Sequence, residues 1–286
     1  MRRTLATGLL ALAAVTVAAV PASAAVATKA GIADIKVIGL TSTQRLVIFE
    51  AGGPGSTFVI GKVAGLKGDR KLVGIDYRVQ DGKLYGVGDK GGVYVVNATN
   101  ARTAKVSQLT VALSGKSFGV DFNPAANRLR VISDNGQNLR HNIDDPMGAP
   151  AAGSTVADGP LTNLPVPPAT TGAKATGVTA AAYTNNDLNP ATATTLFDLA
   201  PDQVVIQSPA NAGSLAPTGK LGLTISGDAG FDIYSTRTAN RGYATLKSTG
   251  GYRFYTVDLL TGRASSLGAF PAKRQVVDIA IPLKQN

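Results

Sequence analysis

Apolar residues along this chain fall in short runs, and beyond residue 24 no helical apolar period lasts three turns. The runs are rich in valine, isoleucine, tyrosine and phenylalanine and are punctuated by Gly, Asn, Asp and Pro, the pattern of many short strands. They also recur. Gly74-Ile75-Asp76-Tyr77 is echoed by Gly119-Val120-Asp121-Phe122, by Gly230-Phe231-Asp232-Ile233 and by Val277-Asp278-Ile279, with a degenerate copy at Thr179-Ala180-Ala181-Ala182-Tyr183. With Ala181 taken as the degenerate Asp position, the copies are spaced by 45, 60, 51 and 46 residues.

Each copy leads into similar chain. After the first come Lys83-Leu84-Tyr85-Gly86-Val87, the turn Asp89-Lys90-Gly91-Gly92 and Val93-Tyr94-Val95-Val96, and each unit closes with one more strand, such as 104–111 or 264–270. Four short strands in about 45–50 residues read as a propeller blade. One blade cannot cover its own apolar faces, whereas blades stacked around an axis cover each other. The last copy, 276–281, has almost no chain left to finish a blade, and its missing strands are available at 44–49 and 57–60. The expected fold is therefore all-β: a β-propeller of five four-stranded blades, closed by pairing of the N- and C-terminal strands, forming one domain over 35–286. An open β-sandwich leaves the final strand unexplained. Two stretches depart from the repeat. Residues 148–176, rich in Ala, Pro, Gly and Thr, read as a long decorative loop, and 184–193 lengthens the first hairpin of the fourth blade.

Composition removes much chemistry. The chain has no cysteine and no tryptophan, and only one histidine, His141. Disulfides, thiolate metal sites and any site needing two histidines are excluded. Met1-Arg2-Arg3, an apolar stretch from Leu5 to Val20 and Pro21-Ala22-Ser23-Ala24 read as a secretory signal peptide (residues 1–24), followed by a short lead over 25–34. The apolar stretch is shorter than the roughly 20 residues of a spanning helix, so no membrane span is expected in the mature chain. The expected location is extracellular. Loss of the two leader arginines lowers the net charge from +10 to +8. The remaining charges are scattered, which fits a solvated surface or weak attraction to an anionic cell-wall polymer, and no basic stripe interleaved with aromatics points to nucleic acid. A monomer is expected.

The runs Leu72-Val73-Gly74-Ile75-Asp76-Tyr77, Gly119-Val120-Asp121-Phe122-Asn123-Pro124, Arg128-Leu129-Arg130-Val131-Ile132-Ser133-Asp134 and Val178-Thr179-Ala180-Ala181-Ala182-Tyr183-Thr184-Asn185 resemble the bacterial domain-of-unknown-function 4394 family, over nearly all of 35–282. The resemblance implies a secreted or surface-attached propeller-like domain and brings no reaction with it.

The candidate site is the recurring acid: Asp76, Asp121, Asp232 and Asp278, one per blade on the expected innermost strand. If these side chains turn toward the axis, four carboxylates converge. Such a set suits a hard cation such as Ca2+, which takes about six to eight oxygens, or an acid beside an ionised partner, as in glycosidases. A repeated Asp equally serves structure by accepting backbone N–H groups of the neighbouring blade. His141 has no G-x-S-x-G elbow beside it and reads as an ordinary surface or loop histidine. Asn135-Gly136 marks a hairpin rather than a calcium loop, and Asn97-Ala98-Thr99 is a sequon of no expected use. No cofactor is required beyond the possible Ca2+. The expected function is a secreted, non-catalytic binding or interaction module of unknown extracellular ligand. Its alternatives are a hydrolase or lyase using aspartates at the propeller mouth, and adhesion to cell-wall polymer through the basic surface.

Overall fold

A computed structural model describes residues 34–285 apart from 190, 237 and 249, so the signal-peptide reading lies outside the described residues. The first three strands are β1 (Lys36–Thr41), β2 (Arg45–Glu50) and β3 (Phe58–Lys62). Blade two comprises β4 (Leu72–Arg78), β5 (Lys83–Gly88), β6 (Gly92–Val96) and β7 (Thr103–Gln108). Blade three comprises β8 (Phe118–Asn123), β9 (Arg128–Ser133), β10 (Asn138–His141) and β11 (Thr155–Ala157). A two-residue strand, β12 (Thr162–Asn163), then joins blade four, which is built from β13 (Ala180–Tyr183), β14 (Leu196–Ala200), β15 (Gln203–Gln207) and β16 (Ser214–Lys220). Blade five runs through β17 (Gly230–Ser235), β18 (Asn240–Ser248), β19 (Gly251–Val257) and β20 (Ala264–Ala269). The last strand, β21 (Val276–Ala280), returns to pair antiparallel with β1 and completes blade one in the order β21-β1-β2-β3.

The protein is thus a five-bladed β-propeller. The closure is the expected one with one addition. The strand that pairs directly with β21 is β1, an apolar run preceding the two strands expected there. A second correction concerns 148–176. This stretch supplies the outer strand of blade three (β11) and a fifth, parallel strand of blade four (β12). Strands of two or three residues are too short to carry an alternation, so the composition alone reads as loop.

The core is divided among the blade junctions. Five apolar clusters lie one at each junction: Leu40 and Ile75 between blades one and two, Phe122 and Val87 between two and three, Ile132 and Val205 between three and four, Leu199 and Phe231 between four and five. The closing junction, between blades five and one, is aromatic. Phe49 meets Phe254 and Phe270 edge-on at 5.0 and 5.2 Å, and Tyr243 stacks on Phe254 at 5.7 Å. Each such pair contributes about 0.5–1.5 kcal/mol beyond its burial.

Candidate functional site

Around the axis the inner strands approach closely, and the repeated motif reflects that crowding. A Cβ on Gly119 would lie 2.6 Å from the backbone nitrogen of Ala181 on the next blade, so this position is restricted to the smallest residue. Apolar residues flanking each Asp face the preceding blade, as Ile75 does toward blade one and Val120 and Phe122 do toward blade two. The Asp between them faces the next blade.

This alternation fixes the true register of the two irregular copies. In blade four Ala181 and Tyr183 pack toward blade three, while Ala180 and Ala182 pack toward blade five. The Asp-equivalent position is therefore Ala182, not Ala181. In blade one, Ile279 and Ile281 face blade five and Ala280 faces blade two, so Ala280 holds the Asp position and Asp278 the glycine position. The four aspartates accordingly divide three and one. Ligand atoms of Asp76, Asp121 and Asp232 lie within 4.8 Å of one another. Asp278 sits one level away and accepts the Ile75 N–H at 2.7 Å.

The three clustered carboxylates perform a common task. The innermost strand of every blade has an unpaired edge, and a buried N–H on that edge must find an acceptor. The residues following the Asp positions are Tyr77, Phe122, Tyr183, Ile233 and Ile281, one per blade. Asp76 accepts from Tyr77 at 2.6 Å and from Phe122 at 2.8 Å. Asp121 accepts from Tyr183 at 3.1 Å. Asp232 accepts from Ile233 at 2.6 Å and from Ile281 at 2.5 Å. Three carboxylates thus satisfy five N–H groups. Where the preceding blade carries Ala182 or Ala280, the aspartate of the same blade takes the bond instead.

All three are buried, and their pKa values rise. Desolvation is the largest cause at Asp76 and Asp121, with repulsion from the neighbouring aspartates added. Asp232 is pushed up to about 7 by burial, against the pull of its two N–H donors. Asp278 also rises through burial. The cavity shared by Asp76, Asp121 and Asp232, lined also by Tyr183, Asn185 and Leu283, measures about 20 Å³, enough for one water or bare ion.

His141 departs from expectation. It ends β10 in full burial, with Nε2 2.8 Å from Ser107 Oγ and Nδ1 3.0 Å from Thr155 Oγ1, and burial lowers its pKa to about 4. It is a neutral residue tying blade two to blade three, not a surface or loop histidine. The sequence reading also missed a set of buried arginines. Arg128 and Arg130 sit on one face of β9, and their acids, Asp145 at 3.1 Å and Asp158 at 2.7 Å, come from the stretch read as loop and its approach. Alternate arginines in an otherwise apolar strand were the available signal, because a buried guanidinium demands a counter-ion.

The larger openings lie elsewhere. Two adjoining clefts of about 740 and 840 Å³ share Thr184, Ala193 and Asn240 at the junction of blades four and five, bordered by the 184–193 insertion. Their carboxylates accept local donors: Asp258 Oδ1 from the Leu260 and Thr261 N–H groups, and Asp187 from Asn189 and Thr192. Arg263 and Lys284 line the clefts, are exposed, and form no salt bridge among the described residues.

Ring and axis together define a small propeller whose inner edges are sealed by buried acids. The chain belongs to the family described as Domain of unknown function (DUF4394), which matches residues 45–280. No curated protein matches it in sequence. In structure it is similar to TolB from Acinetobacter baumannii, at 12% identity and a TM-score of 0.43, over 82% of this chain and 53% of that one. It is also similar to a Bacteroides thetaiotaomicron protein of unknown function, at 12% identity and a TM-score of 0.44, over 89% of this chain and 62% of that one. A third likeness is to the extracellular domain of a putative hybrid two-component system from B. thetaiotaomicron, at 12% identity and a TM-score of 0.40, over 83% of this chain and 28% of that one. The chain spans less than two thirds of each of these three. No helix among the described residues is long and apolar enough to cross a membrane.

Proposed function

We propose that this is a secreted, non-catalytic binding module whose ligand, an anionic cell-wall polymer, lies in the paired clefts between blades four and five. The observation that carries this reading is the contrast in size and free charge. The clefts have the volume of ligand sites, and they present the exposed cations Arg263 and Lys284 beside two carboxylates, Asp258 and Asp187, that are engaged by backbone and hydroxyl donors, while the axial cavity of about 20 Å³ admits no sugar ring. Five of the six oxygens of Asp76, Asp121 and Asp232 already hold backbone N–H groups, which speaks against their use as a hydrolytic pair. Secretion rests on the basic start, short apolar stretch and small-residue cleavage pattern of residues 1–24. The test is co-sedimentation with a phosphate- or carboxylate-bearing cell-wall polymer, against a neutral glucan as control. Retention is expected to fall steeply with salt and to weaken severalfold in an Arg263→Ala, Lys284→Ala double variant. Salt-insensitive retention, or full retention by that variant, overturns the reading.

A second reading places one Ca2+ among the axial carboxylates. It is favoured by three carboxylate oxygens within 4.8 Å and by the remaining oxygen of Asp121. Calcium is then expected to raise the unfolding midpoint at pH 8, with Asp121→Asn abolishing the gain. An unchanged midpoint in millimolar calcium ends this reading.

A further inference from the structure

The wedge between blades three and four contains a carboxylate that nothing in the protein satisfies. Asp198 lies in β14 opposite Ala181 and Val205, both packed toward blade three, so its side chain leaves the sheet on that face. It is 0% exposed, and neither of its oxygens has a hydrogen-bond partner. On the same face, two residues along β15 from Val205, Gln207 Oε1 is likewise buried and unpartnered. Diagonal neighbours on adjacent strands are about 7–8 Å apart, within joint reach of an Asp, a Gln and one bridging molecule.

Across the wedge stands Arg130. Its Nε donates to the Tyr183 hydroxyl, its Nη1 to Asn138 and Asp158, and its Nη2 to Asn211, leaving one of the five guanidinium hydrogens with no partner. Charge decides what completes these bonds. Arg130 and Arg140 share a single counter-ion, Asp158; burial raises the pKa of Asp198 and the charge of Arg130 opposes that rise, so with Asp198 ionised the group is neutral without a metal. What is missing is donors. Water brings two donors and an acceptor, and buried water serves just such clusters of unsatisfied polar atoms.

We propose that this wedge is a built water site, in which ordered water donates to Asp198 and to Gln207 Oε1 and accepts the remaining Nη2 hydrogen of Arg130. The result is a hydrated ion pair between blades three and four. It sits beside blade four, one of the two blades with alanine at the axial Asp position, and so supplements the single axial bond from Asp121 to Tyr183.

The direct test is a crystal structure of the unaltered protein at neutral pH, at a resolution that shows water. A spherical peak is expected about 2.6–3.2 Å from an Asp198 oxygen and within the same reach of Gln207 Oε1 or Arg130 Nη2. A dry contact, with Asp198 bonded to protein atoms, overturns the proposal, and so does an anomalous peak there after a rubidium soak, which assigns a monovalent cation. In solution, Asp198→Asn keeps the shape and removes the charge, and is expected to lower the unfolding midpoint by roughly 5–10 °C. An Asp198→Leu variant as stable as the parent also overturns it. The crystallographic arm needs no variant, so a failure of either variant to fold leaves it standing.

Discussion

At the axis, Asp76, Asp121 and Asp232 accept five backbone N–H groups among them, whereas Asp198, buried in the wedge between blades three and four, accepts none. Desolvation raises the pKa of all four. Burial and an abnormal pKa therefore do not separate a structural acid from one awaiting a ligand. The count of protein donors does. At the axis the carboxylates close the open edges of inner strands, and their number is held to three because a fourth or fifth at the same level adds like charge within a few ångströms of the rest. In the wedge the donors come from outside the chain.

The largest expected effect tests that count. Asp76→Ala or Asp232→Ala orphans two buried N–H groups and Asp121→Ala only one, at about 1–3 kcal/mol each. Urea unfolding at pH 5, where protonation weakens the repulsion among these acids, is expected to show the first two variants losing about twice as much stability as the third. Equal losses would mean that N–H capping is not what these residues contribute.

A smaller effect is the shape of stability against pH. Asp232 is raised to about 7, so its contribution is complete below the ordinary Asp value and is lost as pH rises through 7. His141 is lowered to about 4, so its contribution is present above the ordinary histidine value and is lost as pH falls toward 4. Between about pH 4 and 6.5 these two changes oppose each other, so thermal unfolding is expected to be nearly level there, with Asp232→Asn uncovering the rise that His141 contributes as pH increases. A profile in that variant identical to the parent's would detach Asp232 from the axis. The smallest effect is expected in the clefts, where Arg263→Ala and Lys284→Ala should each shift stability by no more than about 0.5 kcal/mol while weakening polymer binding. A large loss of stability would make these side chains part of the fold.

The sequence carried the architecture because the repeat is a packing constraint. Each blade needs a small residue at the axis, apolar residues turned to one neighbour and an acceptor turned to the other, and Gly74-Ile75-Asp76-Tyr77 records all three. Register was lost where that record is thin. The Ala180-Ala181-Ala182 run offers no contrast between faces, and at the other end Asp278 mimics the motif while occupying its glycine position. The burial of His141 and Asp198 was invisible for a different reason. Each lies in a strand whose facing blade comes from distant chain, as the Arg130 contacts to Asp158 and Asn211 also show.

Closure of the ring has a consequence for the way the chain is made. Blade one holds β1, β2 and β3 from one end of the domain, yet its innermost member, β21, is synthesised after every other strand. Until β21 emerges, Val37, Val47 and Phe49 have no finished junction to enter, and the growing polypeptide is an arc with an uncovered apolar flank. Pairings between segments this far apart form slowly, so exposure to misassociation lasts from the emergence of β1 until β21 docks against it.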